Sequence, residues 1–293
     1  MEENLNMSKN TEVLIEGLTF TEGPRWHDGR LYFSDFFTHR VLAVDTKGNM
    51  ETIVETPQQP SGLGWSPDGS MLIVSMNDQK LLSFSNGELS EVADLSQLAT
   101  HFCNDMVVDK KGNAYVGNFG FDLHAGEPIK PTNLILVRPG EEPCVVAENV
   151  FFPNGTVITP DDKTLIVGET FASCLTAFDI NEDGTLANRR VWADLRSIEE
   201  GYTPVPDGIC LDAEGAIWVA SPSTNDVIRV QEGGAVLDKV EVDRGAFACM
   251  LGGENGNTLF ISPANDSTEE TCLKEKSARI EVIDVDVPRA GLP

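Results

Sequence analysis

Short apolar runs alternate with Asp/Gly-rich turns along almost the whole chain. In residues 154–168, a small polar residue and a glycine precede a few apolar residues, a turn and a second apolar run. The apolar runs are rich in Val, Ile, Leu and aromatic residues and are bounded by turn formers, which is the pattern of a β-hairpin. Six copies of this pattern occur, and they begin at Glu22, Ser61, Asn104, Asn154, Asp207 and, in a degenerate form, Cys249.

The spacing of these copies predicts an all-β, six-bladed propeller with four-stranded blades. A period of about 40–50 residues suits a four-stranded blade better than a single-stranded solenoid repeat. Further strand-like runs between the copies supply the third and fourth strands. The head, Thr11–Glu16, and the tail, Ala278–Val285, both resemble strands, and together they would complete one blade and close the ring. Two unrelated β domains are the alternative, but the copies are evenly spread and no linker interrupts them.

The expected organisation is a disordered segment at 1–10 followed by one propeller domain at 11–293. Amphipathic helical periodicity is nearly absent. The Gly- and Pro-punctuated segment 118–132 predicts a long loop over one end of the ring, where loops often carry specificity. Segment 194–206 predicts a second insertion, and the polar segment 265–277 predicts an exposed loop.

Composition narrows the function classes. The formal net charge of −26 argues against nucleic acid and anionic membrane surfaces as partners. The six cysteines show no C-x-x-C spacing, so we expect reduced, buried thiols. No secretory leader and no membrane-length apolar run is evident. We therefore expect a cytoplasmic protein, monomeric or weakly homo-oligomeric, that acts on a small molecule.

Four of the six copies begin with a carboxylate or a carboxamide: Glu22, Asn104, Asn154 and Asp207. The innermost strands of a propeller line its channel, so equivalent positions meet at one height around the axis. Two carboxylates brought together repel each other and resist burial without a countercharge. One divalent cation would resolve both problems, and an all-oxygen set favours Ca²⁺ first, Mg²⁺ or Mn²⁺ next and Zn²⁺ least.

Turn formation is the competing explanation, because Asn-Gly and Asp-Gly are common turn dipeptides. It does not explain why each dipeptide precedes a strand that is followed by a second, separate turn. The recurrence in register therefore favours a metal site. In the sixth copy, an apolar or cysteine side chain near 248–249 is expected at the equivalent point.

The same positions carry a family resemblance. Their motifs, in order, are Glu22-Gly-Pro, Asn104-Asp, Pro153-Asn154-Gly and Pro206-Asp207-Gly. Their order and spacing resemble the SMP-30/gluconolactonase/LRE family, also called regucalcin-like, which is related to diisopropylfluorophosphatase-type phosphotriesterases. The resemblance implies one divalent metal held by Glu22, Asn154 and Asp207, with Asn104 on its open side. It also implies an activity that opens sugar lactones and related esters.

Two routes for the chemistry stay open at this point. In the first, a cation polarises the lactone carbonyl, Asp207 takes a proton from the attacking water, and Asn104 donates to the developing oxyanion. In the second, the Asp207 carboxylate attacks the substrate directly. A non-catalytic calcium-binding propeller, and a phosphotriesterase or another reaction at the same metal, are the alternative functions.

Further substrate contacts are predicted around Asn104 and after the hairpins. Sugar-lactone members often carry arginine two residues before that asparagine, where this chain has Phe102. A phenylalanine there offers a flat apolar wall and, with other aromatic residues nearby, indicates a less polar pocket. The remaining candidates for substrate contact are His101, Asn118, Phe121 and Glu169.

Overall fold

The computed structural model describes residues 10–293 and confirms a six-bladed propeller with four-stranded antiparallel blades. Blade 1 contains β2 (Thr21–His27), β3 (Arg30–Asp35), β4 (Arg40–Val44) and β5 (Met50–Glu55), and blade 2 contains β6 (Pro60–Trp65), β7 (Met71–Ser75), β8 (Lys80–Ser85) and β9 (Glu88–Asp94). Blade 3 contains β10 (Cys103–Val108), β11 (Ala114–Asn118), β12 (Thr132–Val137) and β13 (Cys144–Val150), and blade 4 contains β14 (Pro153–Ile158), β15 (Thr164–Glu169), β16 (Cys174–Ile180) and β17 (Leu186–Asp194). Blade 5 contains β18 (Ile209–Leu211), β19 (Ile217–Ser221), β20 (Asp226–Val230) and β21 (Val236–Glu241), and blade 6 contains β22 (Gly245–Gly252), β23 (Thr258–Ala264), β24 (Ala278–Asp284) and β1 (Glu12–Leu18).

The two chain ends close the ring, as the sequence predicts. Strand β1 pairs antiparallel with β24, and Glu12 lies opposite Val282. The first strands of neighbouring blades contact each other in the order β2, β6, β10, β14, β18 and β22, and β22 returns to β2. The head strand therefore becomes the outermost strand of the last blade, which ties the chain ends together.

Innermost strands approach so closely that some of their positions accept only glycine. A Cβ placed on Gly155 of β14 would lie 2.4 Å from the Ile209 nitrogen of blade 5. A Cβ on Gly62 of β6 would lie 2.4 Å from the Met106 nitrogen of blade 3. Both contacts are shorter than side-chain carbon atoms tolerate, so these glycines let adjacent blades converge on the axis.

Large apolar side chains fill the space between the sheets. The largest side chains that are almost fully buried include Trp218, Tyr115, Phe33 and Phe260. Successive strand residues point to opposite faces, and each blade packs against a neighbour on both faces. The apolar strands are therefore buried on both sides, which gives them their nearly continuous hydrophobic runs.

The segment 265–277 is mostly exposed, as expected, but it contains a helix, so the expectation of a loop is wrong for that part. Helix α1 spans Glu269–Glu275 and buries Cys272. It is too short and too polar to show apolar periodicity in the sequence. Three 3₁₀ turns also occur in the described part of the chain, at Phe36–Thr38, Thr170–Ala172 and Leu195–Ser197.

The expected disordered segment 1–10 lies outside the described residues except for Asn10. The assignment of 11–293 to a single domain stays a prediction. The cysteines are free, and all but the half-buried Cys144 are buried. Across residues 10–293, no helix has the length and apolar character that crossing a membrane requires.

Candidate active site

A cavity of about 560 Å³ opens where the innermost strands of all six blades begin. Four predicted oxygen-bearing residues line it together: Glu22, Asn104, Asn154 and Asp207. Each belongs to the first strand of a different blade or, for Asp207, to the segment leading into β18. Rotational equivalence of the blades therefore brings together side chains that are far apart in sequence.

The two carboxylates of this set are buried and influence each other. Glu22 is 8% exposed and Asp207 is 7% exposed. Burial raises the pKa of Glu22 well above its ordinary value, and the charges of Asp207 and Asp105 raise it further. Burial also raises the pKa of Asp207, Asp105 adds to the effect, and a hydrogen bond from Asn154 opposes it. Without a countercharge, this site therefore disfavours two ionised carboxylates.

The polar atoms around the axis fit a hard divalent cation. The Oδ1 atom of Asp207 is buried and has no hydrogen-bond partner among the described residues. Asn104 donates its amide to the Pro153 carbonyl at 3.3 Å, and Asn154 donates its amide to Thr170 Oγ1 at 3.3 Å. The Asn104 amide is thus engaged with the Pro153 carbonyl, the Asn154 amide donates to Thr170 and to Asp207, and the two carboxamide oxygens are left as acceptors. Carboxylate and carboxamide oxygens are the ligands that Ca²⁺, Mg²⁺ and Mn²⁺ prefer.

The four axial residues differ from a metal site made only of ionisable side chains, because two of them are asparagines. In the described part of the chain, no group of three or more His, Cys, Asp or Glu residues is placed to hold a metal. The nearby Asp105 forms an ion pair with Arg25, whereas Glu22 and Asp207 form no ion pair among the described residues. The Arg25–Asp105 pair was not among the sequence predictions. The only signal for it was the acidic residue directly after Asn104.

Backbone hydrogen bonds between blades fix the height of the ring. The Gly155 N–H donates to the Asp207 carbonyl at 3.0 Å, and the Gly208 N–H donates to the Phe247 carbonyl at 2.8 Å. The same bond thus recurs from blade 4 to blade 5 and from blade 5 to blade 6. It places Phe247 at the equivalent position of blade 6, whereas the sequence suggested a residue near 248–249. This side chain lines the cavity.

Of the predicted substrate contacts, Phe102 lines the cavity, whereas His101, Asn118, Phe121 and Glu169 are not among its lining residues. The His101 ring lies behind Phe102, with ring centroids 4.3 Å apart. Phe121 is 2% exposed and packs against Phe152, which does line the cavity.

The other two polar candidates are held in hydrogen-bond networks. Asn118 accepts a hydrogen bond from Thr132 at 2.5 Å and donates one to the Asn133 carbonyl at 3.0 Å. Glu169 accepts from the Phe151 N–H at 2.8 Å and forms an ion pair with Arg189. Both side chains are almost fully buried, so they support the loops around the site rather than face the cavity.

The cavity wall contains more aromatic side chains than the sequence analysis predicted. The eight phenylalanines that line the cavity are Phe20, Phe36, Phe37, Phe102, Phe119, Phe152, Phe171 and Phe247. Loop residues Leu123 and His124 and the start of α1 complete the mouth. The loop expected over one end of the ring therefore does reach the cavity.

A family model described as the SMP-30/gluconolactonase/LRE-like region matches residues 20–265. The chain belongs to this family. It is 26% identical over 281 residues to a 6-deoxy-6-sulfogluconolactonase of Pseudomonas putida, which covers 93% of each chain. It is also 26% identical to a regucalcin of Xenopus laevis, over 90% of this chain and 89% of that one. A pentonolactonase of Haloferax volcanii is 26% identical over 87% of this chain and 84% of its own.

Solved structures share the fold over nearly the full length. A luciferin-regenerating enzyme superposes with a TM-score of 0.82 at 18% identity and covers 97% of this chain and 98% of its own. A protein described as the calcium-binding protein regucalcin of Agrobacterium tumefaciens gives a TM-score of 0.81 at 19% identity, with 97% of each chain covered. At these identities the likeness concerns the fold.

Proposed function

We propose that this protein is a divalent-metal-dependent hydrolase that opens lactones at the axial cavity. The family and its lactonase relatives support lactone hydrolysis as the chemistry. The observation that carries the metal dependence is the buried, unpartnered Asp207 Oδ1 beside a second buried carboxylate, Glu22. Such a pair is unfavourable unless a cation joins it.

Glu22, Asn154 and Asp207 would hold the cation, and Asn104 would face its open side. A bound divalent cation would supply Lewis-acid polarisation of the lactone carbonyl. It would also favour the charged forms of Glu22 and Asp207, opposing the effect of burial on their pKa values. Calcium is the first candidate because the donors are all oxygen atoms.

The proton transfer is assigned to Asp207. A water molecule attacks the carbonyl carbon and gives its proton to Asp207, whose Oδ1 has no other partner among the described residues. The new carbon–oxygen bond forms, the ring carbon–oxygen bond breaks, and the ring oxygen leaves as a hydroxyl that receives the proton. The product is an open-chain hydroxy acid. The cavity walls hold the lactone against this group and limit bulk water.

A lactone panel assayed with and without EDTA tests the function. We expect activity that chelation abolishes and that Ca²⁺, Mg²⁺ or Mn²⁺ restores. Asp207→Asn should reduce kcat/KM by at least about a hundredfold, a typical contribution of a catalytic acid–base group, and Glu22→Gln should also reduce it because it removes a charged ligand of the cation. The exposed Glu232→Gln, also in blade 5, serves as the matched carboxylate-to-amide control and should be unaffected. Full activity in EDTA would contradict the metal dependence.

Hydrolysis in ¹⁸O-labelled water distinguishes the two routes for Asp207. In a single turnover, water attack incorporates ¹⁸O directly into the product. If the Asp207 carboxylate attacks directly, the product of the first turnover instead carries an unlabelled oxygen from Asp207. Tight metal binding with no turnover of any lactone would favour a non-catalytic calcium-binding propeller, and turnover of phosphotriesters alone would favour that reaction.

A further inference from the structure

The cavity wall is built from a repeated position that lies two residues before each axial position. In blades 1 to 4 this position is the residue immediately before the first strand. In blades 1 to 5 its occupants are Phe20, Gln59, Phe102, Phe152 and Val205, and all five line the cavity. Four of the five are apolar. The oxygen-bearing floor is thus surrounded by a mainly apolar ring.

Two further phenylalanines come from equivalent turns of opposite blades. The 3₁₀ turns Phe36–Thr38 and Thr170–Ala172 follow the second strands of blades 1 and 4. Both are followed by a residue with positive φ, and both place a half-buried phenylalanine, Phe37 or Phe171, on the wall. Aromatic side chains therefore lie on opposite sides of the cavity rather than in a single patch.

Ring contacts join the phenylalanines on each side of the cavity. Phe152 lies 4.3 Å from Phe119 and 5.1 Å from Phe171, between ring centroids. On the other side, Phe20 lies 4.8 Å from Phe247 and 5.2 Å from Phe36. Rings packed in this way hold their positions and expose flat apolar faces to a ligand.

The charges and hydrogen-bonding groups of the cavity lining also limit which substrates the site accepts. The lining residues within 10–293 include no lysine and no arginine, and the exposed Glu269 lies at the mouth. An anionic substituent on a substrate would therefore have no lysine or arginine to pair with. Apart from the four axial residues, the polar side chains of the lining are the half-buried Gln59 and Ser267, the buried Thr170, and the exposed Asn77, His124, Thr268 and Glu269. A polyhydroxylated ring that lies between the phenylalanines would bury hydroxyl groups against apolar faces without partners, which is costly.

We propose that the substrate of this site is an uncharged lactone that carries an apolar alkyl or aromatic substituent, and that Phe102 is a specificity-determining residue. This inference rests on the proposed function and specifies its substrate class. The cavity volume, about 560 Å³, lies within the range of roughly 300–1,000 Å³ found for pockets that enclose drug-sized ligands. There is room for a lactone ring over the oxygen atoms and for an apolar substituent between the phenylalanines.

Three δ-lactones with the same ring size provide the test: gluconolactone, δ-decalactone and dihydrocoumarin. The kcat/KM of the metal-loaded protein is measured for each and divided by the spontaneous hydrolysis constant, which removes differences in intrinsic reactivity. We expect the corrected value to be at least about tenfold higher for the two apolar lactones. Gluconolactone turnover equal to or above that of both would overturn the inference and leave the proposed function standing.

Variants at Phe102 test its role. Phe102→Gln is expected to lower the corrected kcat/KM for dihydrocoumarin by about tenfold and to leave gluconolactone unchanged or improved. Phe102→Leu keeps an apolar wall and should retain most of the preference. Phe84→Gln, a half-buried phenylalanine of blade 2 outside the cavity, is the control and should change neither value. Equal losses on both lactones in Phe102→Gln would refute a specificity role.

Calorimetry with unreactive lactams separates failure of this inference from failure of the proposed function. The lactam analogue of dihydrocoumarin and gluconolactam are titrated into metal-loaded wild-type protein and Phe102→Gln. We expect tighter binding of the aromatic lactam to the wild type and loss of that preference in the variant. If no lactone is hydrolysed, the proposed function fails, and the lactam titrations still decide the preference of the pocket. Equal or tighter binding of gluconolactam would overturn it.

Discussion

Arg25 Nη2 donates a hydrogen bond to Asp105 Oδ1 at 2.5 Å, and both side chains are buried. The guanidinium also donates to the Leu63 carbonyl at 2.9 Å and to the Met106 carbonyl at 2.6 Å. One side chain from blade 1 thus connects to blades 2 and 3. Arg25 forms its ion pair with Asp105, whereas its charge is the smallest of the influences on the pKa of Glu22, and among the described residues neither Glu22 nor Asp207 forms an ion pair. The arginine therefore helps to define which carboxylates are available to a cation.

Replacing Asp105 with alanine should strongly destabilise the fold. The change leaves the Arg25 charge buried without its carboxylate, and breaking a buried ion pair in this way costs about 3–5 kcal/mol. Urea unfolding monitored by tryptophan fluorescence measures the free energy of unfolding. Asp286→Ala, at an exposed aspartate, should change it by no more than about 0.5 kcal/mol. A loss below about 1 kcal/mol for Asp105→Ala would show that the pair is not important for stability.

Asp207→Asn should stabilise the metal-free protein while removing activity. Because burial raises the folded-state pKa of Asp207, the folded state binds this proton more tightly than the unfolded chain does. The stability of metal-free wild type therefore falls as pH rises from about 4, the unfolded pKa, through the raised folded pKa. Asparagine removes this penalty, so the Tm of the variant should exceed that of wild type at pH 8 in EDTA.

The same comparison has two internal controls. The Tm difference should shrink as the pH approaches about 4, where the aspartate is protonated in both states. Added Ca²⁺ should raise the Tm of wild type and leave that of Asp207→Asn nearly unchanged, because only the wild type binds the ion. A variant less stable than wild type in EDTA at pH 8 would contradict the account of an uncompensated carboxylate.

Cysteine reactivity should follow burial. Burial raises the pKa of Cys103 to about 12, with Asp78 and Asp94 adding to the effect, and burial also raises the pKa of Cys272 to about 12. These thiols are protonated at neutral pH and should react slowly, since the thiolate is the nucleophile. Iodoacetamide at pH 8 should therefore modify half-buried Cys144 first, as read by mass spectrometry of peptides. Rapid native-state labelling of Cys103 would be inconsistent with the packing described.

Gly155→Ala tests the convergence of the blades on the axis. The added Cβ would lie 2.4 Å from the Ile209 nitrogen and 2.6 Å from the Asp207 carbonyl oxygen, so β14 and the Asp207 segment must separate. We expect a destabilisation of about 1–3 kcal/mol, as for other overpacked sites, together with weaker calcium binding. Gly168→Ala in the same blade is the control, because its nearest contact is 3.2 Å from Pro206 Cβ. Equal calcium affinity in both variants would argue against this role of Gly155.

The repeated pattern was sufficient to predict the fold and the axial oxygen set, because both depend on register. Equivalent positions in equivalent blades must meet on the axis, so Glu22, Asn104, Asn154 and Asp207 could be grouped without knowledge of any contact. The degenerate sixth copy was misplaced, since only the hydrogen bond between Gly208 and the Phe247 carbonyl reveals which residue is equivalent.

The alternation of side chains between the two faces of a strand explains which of the other candidates reach the cavity. Phe102 lies two residues before Asn104 and shares its side, whereas His101 lies three before it and points away. Asn118 lies opposite Cys103 in the sheet, and Glu169 lies opposite Pro153. Cys103 and Pro153 each directly precede an axial residue. Paired residues share a face of the sheet, so both side chains face away from the cavity. This rule could have been applied to the sequence, but the aromatic turns at Phe37 and Phe171 could not have been located in this way.

The central claim is that one divalent cation is held by Glu22, Asn154 and Asp207, and anomalous diffraction from crystals grown with calcium tests it most directly. The account predicts a single strong peak on the propeller axis, within about 2.3–2.6 Å of a side-chain oxygen of each of the three residues. The peak should be absent from Asp207→Ala crystals grown under the same conditions. No peak at this position in the wild type, or a peak that none of these three side chains contacts, would contradict the account.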